Sequence, residues 1–385
     1  MEHQDVVYHE LRKQIDKMPV GIPPTDSGVE IRILKHLFTP EQAKIALFLN
    51  VIPEALDRIY NRIRKNYIAI SLEELENILS YLARTGRILG SEKNGVKSYS
   101  YLPFAIGMYE FQVDQLTREF YKDCEEFILT DFMHEYARTG IPQLRTIPIS
   151  KSIQHDLNVS SYDHLRQFIK GLEGKFGVRD CICRQGKDLI GEPCQVADFR
   201  DTCLSLPMDS LGGKGSRFLL EPPESYRSIT KDEALEILQR AENTGLVIQP
   251  ANVQRPNFVC CCCGDCCGVL TAAKTFPKPA KVFATNFYAS IDPHRCKGCG
   301  LCVDRCQMDA LTLIEDKASV DLDRCIGCGL CVVVCSTAAV QLKKKNKELK
   351  PPTSLFNLYR KIMIKKHGKF GTLKLGAKIL LKRKI

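Results

Sequence analysis

The sequence IDPHRCKGCGLCVDRCQMDALTL at residues 291–313 is repeated 29 residues later as VDLDRCIGCGLCVVVCSTAAVQL at residues 320–342. Each copy spaces four cysteines as C-x2-C-x2-C-x3-C, with a glycine on either side of the second cysteine. Three thiolates at this spacing can surround one face of an iron–sulfur cubane, and glycines let the backbone come close to it. The repeat therefore predicts two cluster-binding motifs made by internal duplication, with two zinc sites as the alternative.

This duplicated segment, residues 286–342, resembles the bacterial two-cluster ferredoxins. The resemblance implies two [4Fe–4S] clusters with interleaved ligand sets: Cys296, Cys299, Cys302 and Cys335 for the first, and Cys325, Cys328, Cys331 and Cys306 for the second. Ferredoxins usually have proline after the fourth cysteine of each motif, where this sequence has Gln307 and Ser336. The resemblance further implies single-electron transfer at a potential of about −400 mV.

The composition of the whole chain is typical of a soluble protein with two or three compact units. It has 385 residues, of which 44% are hydrophobic and 26% charged, and it contains 19 cysteines. The start is polar, and no apolar run approaches the ~18 residues that a membrane span needs. We therefore expect a cytoplasmic protein, in which clustered cysteines more often bind metal or do redox work than form disulfides.

The net charge of +10 belongs to the end of the chain. Residues 341–385 contain fifteen Lys or Arg and one acid, Glu348, so the remaining residues sum to −4. In residues 343–385, apolar positions such as Leu355, Leu358 and Ile362 alternate with lysines such as Lys365 and Lys366 at roughly helical spacing. A basic amphipathic helix on an anionic membrane surface, a helix docked on an acidic partner, and a solvated disordered tail all fit this pattern.

Residues 28–105 show a helix–helix–helix–hairpin pattern, which is typical of a winged-helix domain. Thr39-Pro40 is a good helix start, Ser71 and Glu74 form a capping box, and Asn94-Gly95 is a hairpin turn. The last helix carries Glu73, Glu74 and Glu76, which would repel phosphates. The pattern therefore favours protein docking over DNA binding. Residues 1–27 are predicted to be an N-terminal extension, and residues 106–149 a long helical connector.

Residues 150–285 form a cysteine-rich middle domain with ten cysteines. Four of them precede a clear helix that is capped by Thr230 and ended by Gly245, and six follow it, so the helix can fold the two groups together. Zinc prefers two C-x2-C pairs, and only Cys260–Cys263 and Cys263–Cys266 have that spacing. An additional iron–sulfur cluster is favoured, with zinc and a metal-free thiol relay as alternatives. The predicted ligand set contains nine cysteines: Cys181, Cys183, Cys194, Cys203, Cys260, Cys262, Cys263, Cys266 and Cys267.

Three segments in this order before a ferredoxin module, PVGIPPTDSGVEIRILKHLFTPEQA, DCICRQGKDLIGEPC and FVCCCCGDCCGVL, resemble a family of anaerobe iron–sulfur proteins. That family consists mainly of genome-predicted 4Fe–4S dicluster proteins with a winged-helix front end. Its members tend to show a run of the type C-x-C-C-x-C-C-C. Here Cys260, Cys262, Cys263, Cys266 and Cys267 keep the run, Cys261 is extra, and Asp265 replaces one cysteine.

The sequence thus predicts an α+β multidomain protein: a winged-helix-like domain, a cysteine-rich domain, a ferredoxin-like domain and a basic tail. Residues 210–216 lack phosphate-loop spacing and no dinucleotide fingerprint follows a strand, so neither flavin nor NAD is predicted. We expect an electron-transfer subunit of an oxidoreductase that exchanges low-potential electrons with a partner protein. A redox-sensing DNA-binding regulator and a thiol or disulfide reductase centred on residues 260–267 remain as alternatives, and no catalytic residue is assigned.

Overall fold

The computed structural model describes residues 5–66, 68–153, 159–207 and 217–380, with the backbone alone for residues 369 and 373–380. The glycine-rich residues 210–216 lie outside these ranges. The chain divides into two compact units. Unit 1 comprises Met1–Thr139, Asp209–Glu224 and Tyr359–Ile385, and unit 2 comprises Gly140–Met208 and Ser225–Leu358. The cysteine-rich segment and the duplicated motifs both belong to unit 2.

The described residues contain both α-helices and β-strands. The α-helices are α1 (Asp5–Ile15), α2 (Val29–Leu37), α3 (Pro40–Ala46), α4 (Leu56–Lys65), α5 (Leu72–Arg84), α6 (Arg118–Phe127), α7 (Met133–Ala137), α8 (Leu165–Lys170), α9 (Ile182–Ile190), α10 (Lys231–Thr244), α11 (Gly268–Lys274), α12 (Leu301–Asp304) and α13 (Leu355–Leu380). The strands are β1 (Glu54–Ala55), β2 (Leu89–Lys93), β3 (Val96–Ser100), β4 (Phe176–Asp180), β5 (Asp201–Ser205), β6 (Arg217–Phe218), β7 (Arg227–Ile229), β8 (Val247–Pro250), β9 (Phe258–Cys262), β10 (Phe287–Ile291), β11 (Leu311–Ile314), β12 (Lys317–Val320) and β13 (Val340–Lys344).

The first part of unit 1 follows the order α3, β1, α4, α5, β2, β3, with an antiparallel sheet ordered β1-β3-β2-β6. The helix start predicted at Thr39-Pro40 and the capping box predicted at Ser71 are confirmed, and so is the β2–β3 hairpin. Thr39 also forms a capping box with Gln42. Its turn residues Asn94 and Gly95 have φ of 51° and 77°, as a two-residue hairpin turn requires. The sequence pattern did not predict the short strand β1. The winged-helix interpretation of this region stays a prediction.

Residues 1–27 and 106–149 were expected to lie outside that domain, but parts of both pack onto its helices. Helix α1 lies against α2 and α3, and the Tyr8 hydroxyl donates to the carbonyl oxygen of Phe38 at 2.9 Å. Residues 106–149 are not one long helix: α6 and α7 are separated by a π-helical turn at Ile128–Phe132. Helix α6 packs against α2, where Arg32 lies 2.9 Å from Asp123.

Much of the basic end of the chain is folded onto the rest of the protein. This differs from the alternative in which residues 343–385 form a solvated disordered tail. In unit 2, β13 pairs with β10 up to Lys344, and the Leu349 amide donates to the side-chain oxygen of Asn286 at 2.7 Å. In unit 1, Ile362 is buried, and the Lys366 ammonium lies 2.6 Å from Glu135, with each side chain 6% exposed. In the described part of the chain, no helix combines the length and the apolar character that crossing a membrane requires.

Unit 2 is built on a five-stranded antiparallel sheet ordered β7-β4-β5-β9-β8. Helix α10 covers it, with the Thr230 cap and the left-handed Gly245 end that the sequence predicted. The duplicated motifs lie between β10 and β13, which pair with each other, and the β11–β12 hairpin separates the two copies. Near the start of the unit, Arg145 and Asp163 form a buried ion pair at 2.7 Å. Asn286, just before β10, donates a hydrogen bond to the same carboxylate and so connects the two regions.

Candidate metal centres

Two cavities lie among the duplicated motifs, and each is lined by four cysteines. One cavity has Cys296, Cys299, Cys302 and Cys335 in its wall. The other has Cys306, Cys325, Cys328 and Cys331. Each cavity therefore combines three cysteines of one motif with the last cysteine of the other. These two groupings are the ones that the ferredoxin resemblance implies.

Hydrogen-bond donors lie beside three of these sulfurs, while burial raises the pKa of Cys328 to about 12 and that of Cys331 well above its usual value. Backbone amides donate to three of them: Ala318 to Cys296 at 3.3 Å, Ala289 to Cys325 at 3.4 Å, and Ala310 to Cys306 at 3.3 Å. The hydrogen bonds from the amides of Ala318 and Gly298 lower the pKa of Cys296. Amide donors stabilise a thiolate and, in iron–sulfur proteins, also the ligated sulfur. Both cavities therefore fit a [4Fe–4S] cluster.

Two glycines at matching positions of the repeat let the backbone turn closely around the cavities. Gly298 and Gly327 both have a φ of 68°, in the left-handed region. A Cβ atom would collide with the carbonyl oxygen of Asp316 at the first position and of Phe287 at the second. Any other residue would be strained and would also clash, so the fold needs glycine at both positions.

The two cavities differ in their access to solvent. Cys299 is exposed, and the apolar side chains of Leu301 and Leu313 beside it are 51% and 45% exposed. Ile314, the next residue, is 59% exposed. At the other cavity, the Ile149 amide donates to the carbonyl oxygen of Cys328 at 3.0 Å. The Cys299 cavity thus opens onto an apolar surface, whereas chain from the start of unit 2 lies over Cys328.

Comparison with known proteins agrees with this geometry. Residues 288–336 match a family model described as a 4Fe-4S dicluster domain. The chain carries a ferredoxin-like 4Fe-4S module. Among curated proteins, no relative matches the chain. The ferredoxin-like module covers a small part of the sequence, and it indicates iron–sulfur electron transfer in general.

The ferredoxin-like module makes direct contacts with the middle domain. The Gly264 amide donates to the side-chain oxygen Oε1 of Gln307 at 2.6 Å. Arg305 donates to the carbonyl oxygens at the end of α10, reaching Thr244 at 2.7 Å and also Asn243. A guanidinium on the last carbonyls of a helix satisfies orphan acceptors and complements the helix dipole. These two contacts fix the module against the cysteine-rich sheet.

Six of the middle-domain thiols, which we call the six-thiol group, form a continuous series of neighbours. Cys203 in β5 lies directly opposite Cys260 in β9. From this pair, contacts between neighbouring thiols continue through the remaining four, namely Cys262, Cys267, Cys183 and Cys181. The hydrogen bond from Cys260 lowers the pKa of Cys203 to about 5, and the Arg179 guanidinium, 3.4 Å from this sulfur, acts in the same direction. The structure thus brings together cysteines on both sides of α10, as the sequence predicted.

A second, tighter group contains Cys194, Cys263, Cys266 and Asp265, whose donor atoms all lie within 4.8 Å of one another. Sγ of Cys194 is 3.6 Å from Sγ of Cys263 and 3.7 Å from Oδ1 of Asp265. Hydrogen bonds from Cys263 and Cys266 hold the pKa of Cys194 well below its usual range. The nine predicted ligands are therefore divided between two groups. The tenth cysteine, Cys261, is buried and belongs to neither.

Arg184 supplies positive charge inside the middle domain. Its side chain is 1% exposed, and it donates to the Thr202 hydroxyl at 2.8 Å and the Cys261 carbonyl at 3.0 Å. Burial alone would lower the pKa of Arg184, but the sulfurs of Cys181 and Cys263 raise it above its usual value. A buried cation needs an opposite charge nearby, and the neighbouring sulfurs would provide it when they bind a metal as thiolates.

The sequence predicted no site role for three of these residues: Asp265, Arg184 and Gln307. Asp265 lies inside the C-x2-C pair formed by Cys263 and Cys266, and Arg184 directly follows Cys183. A carboxylate or a guanidinium placed beside cysteine ligands is a signal that could have identified both. Gln307 was noted as a departure from proline, but its partner Gly264 is 43 residues away and only the fold shows the contact.

Proposed function

We propose that this protein is an iron–sulfur electron carrier that passes single electrons between a partner protein and the middle domain. The observation that carries the proposal is the pair of four-cysteine cavities in the ferredoxin-like module. Cys296, Cys299, Cys302 and Cys335 would hold one cluster, and Cys306, Cys325, Cys328 and Cys331 the other. Such clusters supply one-electron storage at low potential. The protein supplies the thiolates, the amide donors and the apolar walls.

The unequal exposure of the two cavities supports a direction for the path. The exposed side chains of Leu301 and Leu313 line the Cys299 cavity, and exposed Ile314 is next in the chain; apolar surface of this kind marks docking sites. We therefore assign partner docking to the Cys299 side. The Cys328 side would exchange electrons with the middle domain, since Arg305 and Gln307 contact that domain.

The six-thiol group is the proposed site of an additional iron–sulfur cluster. Its cysteines are drawn from α9, β5, β9 and the loop after β9, so a cofactor there would be held by several elements at once. Arg179 and Arg184 supply positive charge beside the sulfurs, which favours an anionic cofactor. The reductase alternative would instead use these sulfurs as a metal-free thiol relay.

For the N-terminal region, we propose a winged-helix module that docks a protein. The order α3, β1, α4, α5, β2, β3 and the β1-β3-β2 pairing support the winged-helix assignment. On α5, Glu74 is engaged in the capping box and Glu76 lies 2.5 Å from Lys97 on β3. The acidic start of this helix disfavours contact with nucleic-acid phosphates, so the DNA-binding alternative has no support from charge.

Iron content tests the cluster assignments. Anaerobically purified protein should contain about eight irons in the ferredoxin-like module and about four in the six-thiol group. The double variant Cys183→Ser/Cys267→Ser should lose about four irons while the reduced-cluster signals of the module persist. Cys261→Ser is the matched control, because this buried neighbour lies outside both groups. Full iron content in the double variant would contradict the additional cluster and favour the thiol-reductase alternative.

A further inference from the structure

We infer that Cys194, Cys263, Cys266 and Asp265 bind a single zinc ion that is separate from every iron–sulfur cluster. The inference does not depend on the additional cluster proposed above, because the two groups share no ligand. Its basis is the mutual distance of the four donor groups, the chemistry of those donors, and the hydrogen bonds that orient the carboxylate.

The distances fit one ion and not a cubane. A tetrahedral zinc site with bonds of about 2.3 Å places its ligand atoms about 3.8 Å apart. The 3.6 Å between Cys194 and Cys263 and the 3.7 Å from Cys194 to Asp265 match that value. A cubane keeps its four cysteine sulfurs farther apart, because the whole cluster lies between them. Among the described residues, this is the group of His, Cys, Asp and Glu side chains close enough to share an ion, and no ferredoxin-module cysteine belongs to it.

The donor set also fits zinc. Cys263 and Cys266 have the C-x2-C spacing of a zinc knuckle, and zinc accepts thiolate and carboxylate together. The carboxylate of Asp265 is held in place by the amides of Gln195, at 2.7 Å, and Cys266, at 2.9 Å. The Ala197 amide donates to Sγ of Cys194 at 3.4 Å. Such outer hydrogen bonds orient ligands and are typical of built metal sites.

The position of the site indicates what the ion does. It joins the loop after α9, which carries Cys194, to the loop after β9, which carries the other three ligands. Between those ligands, Gly264 contacts Gln307 of the ferredoxin-like module. Zinc has no redox chemistry of its own. The ion therefore acts as a clamp that positions the cysteine loop against the module and takes no electrons.

Metal analysis of the full-length, anaerobically purified protein tests this inference. We expect one zinc per chain beside the iron. In Cys194→Ser/Cys266→Ser the zinc should fall at least tenfold while the iron stays constant, and Cys261→Ser should keep both metals. Loss of about four irons from the double variant would overturn the inference by assigning these thiols to a cluster. If Cys183→Ser/Cys267→Ser loses iron but keeps zinc, the result supports two independent sites, one for the cluster and one for the zinc ion.

Zinc X-ray absorption on the unmodified protein keeps the test valid if that variant does not fold. The expected shell is three sulfurs at about 2.3 Å and one oxygen at about 2.0 Å. The conservative variant Asp265→Cys should convert it to four sulfurs with zinc retained, because it exchanges one zinc ligand for another. Absence of zinc, or a shell without sulfur, would overturn the inference. A four-sulfur shell in the unmodified protein would also overturn it, by removing Asp265 from the site.

Discussion

The backbone amide of Gly264 donates a 2.6 Å hydrogen bond to Oε1 of Gln307, the residue directly after Cys306. Ferredoxins usually have proline at this position, which has no side-chain acceptor. Gln307 is 8% exposed, whereas Ser336, at the equivalent position of the second motif, is exposed. The departure from the ferredoxin pattern is therefore explained at one position by a contact with the cysteine loop.

Replacing Gln307 with alanine should destabilise the contact between this loop and the module. The partly buried Gly264 amide would lose its acceptor, at a cost of about 1 kcal/mol. Chemical unfolding of the metal-loaded protein under anaerobic conditions measures the cost. The control is Ser336→Ala, which changes the matching position on the exposed side and should have no measurable effect. Equal losses in the two variants would contradict this role of Gln307.

Arg184→Met should change stability by an amount that depends on metal loading. With thiolates and metal present, the variant removes the buried positive charge that faces them, at a cost of about 3 kcal/mol. With metals removed, Cys181 and Cys263 beside this guanidinium are neutral because their pKa values are raised, and Cys194 remains as a counter-charge, so the same change should cost less. Unfolding free energies of loaded and metal-free protein give the two values.

The control for Arg184 is Arg200→Met, since Arg200 pairs with Asp188 at the surface and is 42% exposed. This variant should change stability by less than about 1 kcal/mol in both forms. If Arg184→Met destabilised the metal-free protein as much as the loaded protein, its guanidinium would be a packing element and not a partner of thiolates.

Neighbouring cysteines on β9 should respond differently to alanine substitution. Cys262 belongs to the six-thiol group, so Cys262→Ala should reduce the iron content of the middle domain. Cys261 is a buried thiol outside both groups, and burial raises its pKa to about 12. Cys261→Ala should keep all iron and cost about 1 kcal/mol of packing. Iron analysis and chemical unfolding on the same samples compare the two variants. Iron loss from Cys261→Ala would contradict the exclusion of Cys261 from both groups.

Lys366→Met should destabilise unit 1, because the buried carboxylate of Glu135 would keep only the exposed guanidinium of Arg138 as an ionic partner. The ammonium also donates to the carbonyl oxygens of Asp16, at 3.0 Å, and Met18, at 3.2 Å. Breaking a buried pair by removing one member costs about 3 kcal/mol. The double variant Lys366→Met/Glu135→Gln should recover part of this loss. A double variant no more stable than the single one would show that the carboxylate is not the source of the cost.

Truncation separates the structural and surface roles of the basic residues. Residues 369–385 contain six Lys or Arg, and each contributes roughly 1 kcal/mol near an anionic bilayer. A chain ending at Gly368 should keep its iron and its stability but bind anionic vesicles at least about a hundredfold more weakly. A chain ending at Leu342 should lose stability, since β13 and Asn286 lose their partners. Undiminished vesicle binding by the first truncation would place any membrane contact elsewhere.

The local elements were predictable because their signals are local. Helix caps at Thr39, Ser71 and Thr230 and the Asn94-Gly95 turn each depend on residues within one turn of chain. The ferredoxin-like cysteines were predictable for a related reason, since C-x2-C-x2-C fixes three ligands by spacing alone.

The middle-domain sites were predictable only as a set of residues. The register of β5 against β9 places Cys203 opposite Cys260, and sequence spacing does not encode that register. Likewise, Cys194 meets Cys263 across 69 residues. The docking of Lys366 on Glu135 depends on tertiary packing, and the amphipathic pattern around Lys366 indicated a helix without indicating what it covers.

The alternation of side chains along β9 has a consequence for comparing such proteins. Cys260 to Cys263 are consecutive, yet 260 and 262 enter one group, 263 enters another, and 261 enters neither. A search that counts consecutive cysteines treats these four positions as one signature. Two overlapping patterns would instead trace each site separately. They are C-x-C-x4-C for residues 260, 262 and 267, and C-x-D-C for residues 263, 265 and 266. Homologues could then keep one site and lose the other while the cysteine total hardly changes.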